Sequence, residues 1–335
     1  MSIEKFIYFV DIYYYMVYTE IQKRGKKKYF YLAHTINLDS KYKKIRVFLG
    51  VDLDKTKLEY LITKKKKLLE TKIKLFEKLE RETFEMNIDF SKNILSSKQI
   101  EKIVALKEKY KEKIKLTDKD VLKKVRESFL IKFTYNTNKA EGNTISLKET
   151  ELILNKGIVP KSHSLREVYE IENTVKAYEY IETYKGELDH KFILMLHELV
   201  TKNTLENPKN EGKYRKKGQN VAMMGSKFYP PKGGRQIKQL IQEVIDKYNK
   251  SKLSLFEKTI LFHSAFILVH PFIDGNGRVS RLIFNWMLIQ NNLPPVDFPS
   301  EDHIEFTDLM EVSREGDSIP LTEFLFERLM NLYGH

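Results

Sequence analysis

His270-Pro271-Phe272-Ile273-Asp274-Gly275-Asn276-Gly277-Arg278-Val279-Ser280-Arg281 is the stretch around which the rest of this chain is organised. Upstream, residues 256–269 are largely apolar and read as a buried helix. Pro271 and the Gly275-Asn276-Gly277 triple interrupt it. From about Asn276 a second apolar helix begins, carrying Leu282, Ile283, Trp286 and Met287. A helix–loop–helix of this kind aims backbone N–H groups out of the start of the second helix. The two glycines let an anion approach with no Cβ in the way.

Arg278 and Arg281 lie one helical turn apart, so their guanidiniums leave the same face near that N-terminus. Helix starts favour acids, so two arginines there point to an external anion. Asp274 offers a hard oxygen suited to Mg²⁺, and His270 is the one side chain of the loop able to accept a proton near neutral pH. Base, metal ligand, anion nest and paired arginines together suit displacement at phosphorus.

These residues match the Fic family core motif, H-P-F-x-[D/E]-G-N-G-R-x-x-R, at every specified position. Segments 170–181 (EIENTVKAYEYI), 193–200 (ILMLHELV) and 212–231 (GKYRKKGQNVAMMGSKFYPP) also resemble that family. The resemblance covers roughly residues 120–330. It implies transfer of AMP from ATP to a Ser, Thr or Tyr hydroxyl of a protein, with His270 as base and Asp274 holding Mg²⁺. Gly275, Asn276 and Gly277 would form the anion nest, Arg278 would contact the β-phosphate and Arg281 the γ-phosphate. The death-on-curing branch, which transfers phosphate, has Ala and Lys in place of the two glycines. This chain keeps both, which favours AMP transfer.

Thr137-Asn138-Lys139-Ala140-Glu141-Gly142-Asn143 resembles the family's inhibitory pattern, [S/T]-x-x-x-E-[G/N], with Thr137, Glu141 and Gly142 in the defining positions. The resemblance implies a Glu141–Arg281 ion pair and an enzyme nearly silent at transfer. A carboxylate there occupies the arginine meant for the γ-phosphate and repels that phosphate. Segment 212–234 resembles the flap that pairs main-chain to main-chain with the target. The usual V-x-I-G-G becomes Val221-Ala222-Met223-Met224-Gly225, losing its first glycine. Two alternatives stay open. Glu141 could position a water for AMP removal, or the chain could dock nucleic acid or protein through its basic first third.

Residues 1–125 hold 31 basic and 18 acidic residues, the entire +13 excess, whereas 126–335 balance at 28 of each. Tracts such as Lys26–Lys28 and Lys64–Lys67 read as a solvated lysine surface more readily than as a nucleic-acid face. With no cysteine, disulfides and thiolate zinc sites are excluded. With no leader or long apolar run, the expectation is a cytoplasmic protein without a membrane segment.

In order, residues 1–54 read as a three-stranded β-meander (FIYFVDIYYYMVYTEI, YFYLAHTINL and KIRVFLGVDL). Residues 55–115 read as a charged helical arm, with Leu58, Leu61, Leu69, Ile73, Phe76 and Leu79 at helical spacing. As a spacer, a dimerisation arm or a docking surface, it stays undecided; a solvated structural helix is the simplest reading. Residues 116–335 read as the Fic-type domain, with Asp118 as an N-cap, the inhibitory segment 137–143, the flap 212–234 and the core 270–281. His197, inside the apolar run 193–200, reads as a packed histidine. The expected fold is thus mainly α, α+β overall. ATP, Mg²⁺ and a hydroxyl-bearing protein are the implied partners. Self-modification and a homodimer remain open.

Overall fold

A computed structural model describes residues 3–12, 15–38, 41–79, 86–160, 162–221 and 229–334. Four strands open it, β1 (Ile3–Ile12), β2 (Tyr15–Arg24), β3 (Lys27–Leu38) and β4 (Lys41–Val51), each antiparallel to the next in the order β1-β2-β3-β4. The meander was expected to have three strands. The aromatic run opening the chain is two of them, because Ile12 pairs with Tyr15 and the chain doubles back. No Gly, Asn or Asp marks that reversal, so residue types alone give no turn signal there.

The helices follow: α1 (Lys55–Leu79), α2 (Ser97–Leu116), α3 (Lys119–Lys139), α4 (Leu147–Lys156), α5 (Leu165–Thr183) and α6 (His190–Thr201). Then come α7 (Arg235–Lys250), α8 (Leu255–Val269), α9 (Asn276–Gln290), α10 (His303–Arg314) and α11 (Ile319–Tyr333). Four of them begin at a Ser with Gln or Glu three residues on, closing a reciprocal capping box: Ser96/Gln99, Ser146/Glu149, Ser164/Glu167 and Ser254/Glu257. Asp118 caps α3, accepting from the amides of Asp120 and Val121.

Helices α8 and α9 form the centre, buried on nearly every side chain from Phe256 to Val269 and from Val279 to Leu288. α7 packs on α8, α5 and α6 on α9, α3 on α5 and α9, and α10 and α11 on α8. Glu257 does more than cap. Its Oε1 accepts from the amides of Ile94 (2.9 Å) and Leu95 (3.0 Å), fastening the segment between α1 and α2 to the central helix.

The stretch read as a solvated arm is not solvated along α1. Leu58, Ile62, Leu69 and Ile73 are buried, and the helix lies between β3–β4 and α10. The side chains of Phe76 and Leu79 lie outside the described ones. Lys65 Nζ donates to Glu305 (2.6 Å) and to the Phe48 carbonyl (3.0 Å), and Lys72 pairs with Asp308. One apolar core runs from Val17 through Leu69 and Phe266 to Leu329, so the sheet and the central helices share it. Among the described residues, no helix is long and apolar enough to cross a membrane.

Candidate active site

The loop between α8 and α9 follows from its residues. α8 ends at His270 in the left-handed region (φ 49°), a conformation seldom adopted by a residue bearing a Cβ. Gly275 (φ 79°) precedes α9, and a Cβ there would stand 3.0 Å from Thr201 Cγ2. Asn276 does not turn its side chain outward. Its Oδ1 accepts from the Phe272 amide and its Nδ2 donates to the Phe272 carbonyl, both at 2.9 Å, so it clasps the loop shut. The nest is made by main chain. The first bond inside α9 runs from the Val279 amide to the Gly275 carbonyl, so the amides of Asn276, Gly277 and Arg278 have no acceptor within the helix.

Around this nest stand the two arginines. Arg281 is buried; its Nε donates to Thr137 Oγ1 (2.7 Å), and its Nη2 to the Thr137 carbonyl (3.1 Å) and to Glu141 Oε1 (2.5 Å). Thr137 comes from the last turn of α3, and Glu141 from the turn beyond it. Gly142 (φ 96°) continues that turn. A Cβ on Gly277 would lie 2.1 Å from Glu141 Oε1, so the glycine that opens the nest also makes room for the carboxylate. Burial pushes the Glu141 carboxyl up, but the Arg281 and Arg278 guanidiniums outweigh it and hold it below the ordinary range.

Arg278 is 1% exposed, with Nη2 3.3 Å from Asp274 Oδ1 and Nη1 3.6 Å from Glu170 Oε1. Its Nε and Nη1 have no hydrogen-bond acceptor among the described residues. Buried donors without acceptors are costly, and an anion over the nest would satisfy them. Asp274 also meets Arg166 (3.1 Å), and its side chain remains about a third exposed at 32%. Among the described residues no group of three metal-ligating side chains gathers. Mg²⁺ held by one carboxylate, with phosphate oxygens and water completing its shell, needs no more than Asp274 offers.

His270 is kept neutral. Burial, then the Arg314 and Arg215 charges, push its imidazole down to about 4, against the Ile267 carbonyl and Glu141, which favour the cation. At pH 7 the ring is in the form that accepts a proton.

The packed reading of His197 agrees with its burial. The ring stacks on Phe272 at 3.7 Å, accepts from the Gly212 amide at Nδ1 (3.0 Å) and faces the Asp274 carbonyl at Nε2 (3.1 Å). Since Nδ1 accepts, Nε2 carries the proton and donates. Burial pushes this histidine, too, down to about 4.

Of the segment expected as a flap, Val221 is described and half-buried, while Ala222, Met223, Met224 and Gly225 lie outside the described residues. Three residues at the site were not singled out for it. Glu170 accepts from Asn143 Nδ2 (2.9 Å) and faces Arg278, joining the inhibitory turn to the nest. Arg166 bridges Glu170 and Asp274. Arg215, in the basic start of segment 212–234, is 1% exposed and donates to main-chain carbonyls of the loop. Only the spacing of Arg166 and Glu170, one turn apart, left a trace in the sequence.

Comparison with known proteins bears on the family and the fold. Residues 187–288 match the Fic/DOC family. Protein adenylyltransferase fic-1 of Caenorhabditis briggsae is 30% identical over 208 residues, 60% of this chain and 40% of that protein. Protein adenylyltransferase Fic of Drosophila ananassae is 29% identical over 219 residues, 63% of this chain and 43% of that one. The chain thus spans about two fifths of the length of these curated relatives. Among solved structures, a fragment of Fic-1 from Caenorhabditis elegans superposes with a TM-score of 0.61 at 26% identity, covering 71% of this chain and 69% of the fragment. A Fic domain containing signalling protein from Bacteroides thetaiotaomicron gives 0.60 at 24% identity, over 70% and 95%.

Proposed function

We propose, from the match of residues 187–288 to the Fic/DOC family, that this chain is a protein adenylyltransferase restrained by its own Glu141. The observation that carries the proposal is the pairing of an anion nest, holding buried donors of Arg278 without acceptors, with a second arginine closed off by a carboxylate 2.5 Å away.

In this reading a target hydroxyl attacks the α-phosphorus of ATP, its proton passes to His270, and the bond from the α-phosphorus to the bridging oxygen breaks to release pyrophosphate. Gly275, Asn276 and Gly277 form the nest, and the free amides at the start of α9, those of Asn276, Gly277 and Arg278, receive the phosphates. Arg278 takes the β-phosphate and Arg281 the γ-phosphate once Glu141 withdraws. Asp274 would hold Mg²⁺, which would neutralise phosphate charge. The arriving phosphates also raise the proton affinity of His270, bringing a weak base nearer to working strength.

Glu141 is the brake, Thr137 holds Arg281 beneath it, and Gly142 gives the turn its path. Val221, Ala222, Met223, Met224 and Gly225 would pair with the target backbone. A cysteine-free chain suits the cytoplasm.

Labelled AMP from α-labelled ATP tests the proposal on wild type, Glu141→Gly, and Glu141→Gly with His270→Ala, each in a host lysate and alone. Labelling that rises in the first variant and vanishes in the second is expected. Silence in all three with ATP still bound overturns the proposal, and loss of AMP from a labelled target would then favour removal.

A further inference from the structure

Arg215 is a buried cation whose side-chain hydrogen bonds, among the described residues, all go to main-chain carbonyls. Its Nε donates to the His270 carbonyl (2.7 Å) and its Nη2 to those of Pro231 (2.9 Å) and Val269 (3.3 Å), while Nη1 donates to that of Gln219 (3.0 Å). Its main chain adds two ties, from its amide to the Pro271 carbonyl (2.9 Å) and from the Gly234 amide to its carbonyl (3.1 Å). Burial lowers its proton affinity, the mark of a charge kept out of water.

The location of these acceptors matters. The last carbonyls of a helix lack intrahelical partners, and the helix dipole makes its C-terminus favourable for a cation. The carbonyls of Val269 and His270 are at that end of α8, and His270 is there in the left-handed conformation. Gln219 and Pro231 stand on either side of residues 222–228. One planar guanidinium therefore ties the backbone of His270 to both described ends of segment 212–234. A lysine could not reproduce that fan of donors.

We infer that Arg215 is a positioning residue for the transfer reaction, holding the His270 backbone in its left-handed conformation so that the imidazole faces the nest. The inference rests on the proposed AMP transfer. Arg215 touches neither nucleotide nor target; it acts through His270. The charged groups facing His270 are Arg215, Arg314 on α10 and Glu141.

The test compares Arg215→Met and Arg215→Lys in the full-length Glu141→Gly chain. Misdirection of the base by an ångström lowers kcat on the order of 10²-fold in Arg215→Met, with KM for ATP and the ATP-induced rise in Tm retained. Arg215→Lys recovers part of the rate. The acid limb of the pH–rate profile moves to higher pH in Arg215→Met, because one of the two cations disfavouring His270 protonation is gone. An unchanged kcat and acid limb overturn the inference.

Amide exchange supplies an arm independent of activity, and it also serves if Arg215→Met does not fold. Exchange at His270 and Gly234 should quicken in Arg215→Lys while α9 stays protected; unaltered exchange at both overturns the inference. A Glu141→Gly parent that transfers no AMP refutes the activity and leaves this arm to decide Arg215.

Discussion

Two regions of this molecule bury cations against carboxylates and use them differently. At the seam between α1 and α10, Lys65 and Lys72 each meet a carboxylate and also a backbone carbonyl, those of Phe48 and Arg46. Asp308 in turn accepts from the Phe48 amide (3.4 Å). Both lysines and Asp308 there have a counter-ion and a backbone partner. At the nest, Arg281 has its counter-ion in Glu141, which is about as exposed as Glu305 is at the seam, but Arg278 keeps buried donors without acceptors among the described residues. A satisfied pair fixes geometry. An incompletely satisfied one can exchange its carboxylate for a phosphate.

The largest expected effect comes from breaking the seam. Asp308→Ala removes the nearer counter-ion of Lys72 and leaves it Glu311 at 3.6 Å, and urea unfolding should report a loss of about 3 kcal/mol. A loss no greater than that of an exposed pair would put seam and nest in one class. Next comes Glu141→Gly. Arg281 keeps both oxygens of Thr137, so stability should fall less than at the seam, while AMP transfer rises on the order of 10²-fold as ATP aligns. A transfer rate that stays flat while stability collapses would reverse the comparison.

Replacing the seam pair whole, Lys72→Met with Asp308→Leu, should return most of the stability lost in Asp308→Ala, since a buried pair exchanged for apolar groups of similar volume is often neutral. Failure of that rescue would mean the seam needs its charges for register. The smallest effect is in pH. His270 and His197 are pushed down to about 4 and His263 to about 3, chiefly by burial. Their folded values lie below the unfolded 6.5, so the stability they contribute is complete above 6.5 and drains away as pH falls toward 4. Amide exchange between pH 7 and 4, corrected for intrinsic rates, should quicken at 270–276 before 305–312.

Residues 270–281 were legible because their chemistry is local. Pro271 and the glycines set the loop, and the Arg spacing sets a common face. Glu141 was legible by resemblance, from a pattern within seven positions. The seam was not. Lys65 and Lys72 fall in a lysine-rich helix whose composition reads as solvated, and nothing nearby announces that Glu305 and Asp308 will meet them. The fourth strand escaped for want of a turn residue between Ile12 and Tyr15.

By itself the sequence determined the helix–loop–helix, the Asp118 cap of α3, the residue types of the nest and the balance of charge along the chain. All of these depend on neighbours within a few positions. Only the tertiary structure decided that Glu141 reaches Arg281, 140 residues away, that Asn276 clasps the loop instead of facing outward, and that Arg215 holds His270 from 55 residues upstream. Such partners are chosen by burial. A polar group removed from water must bond whatever the fold brings beside it, and the linear order of residues does not record what that will be.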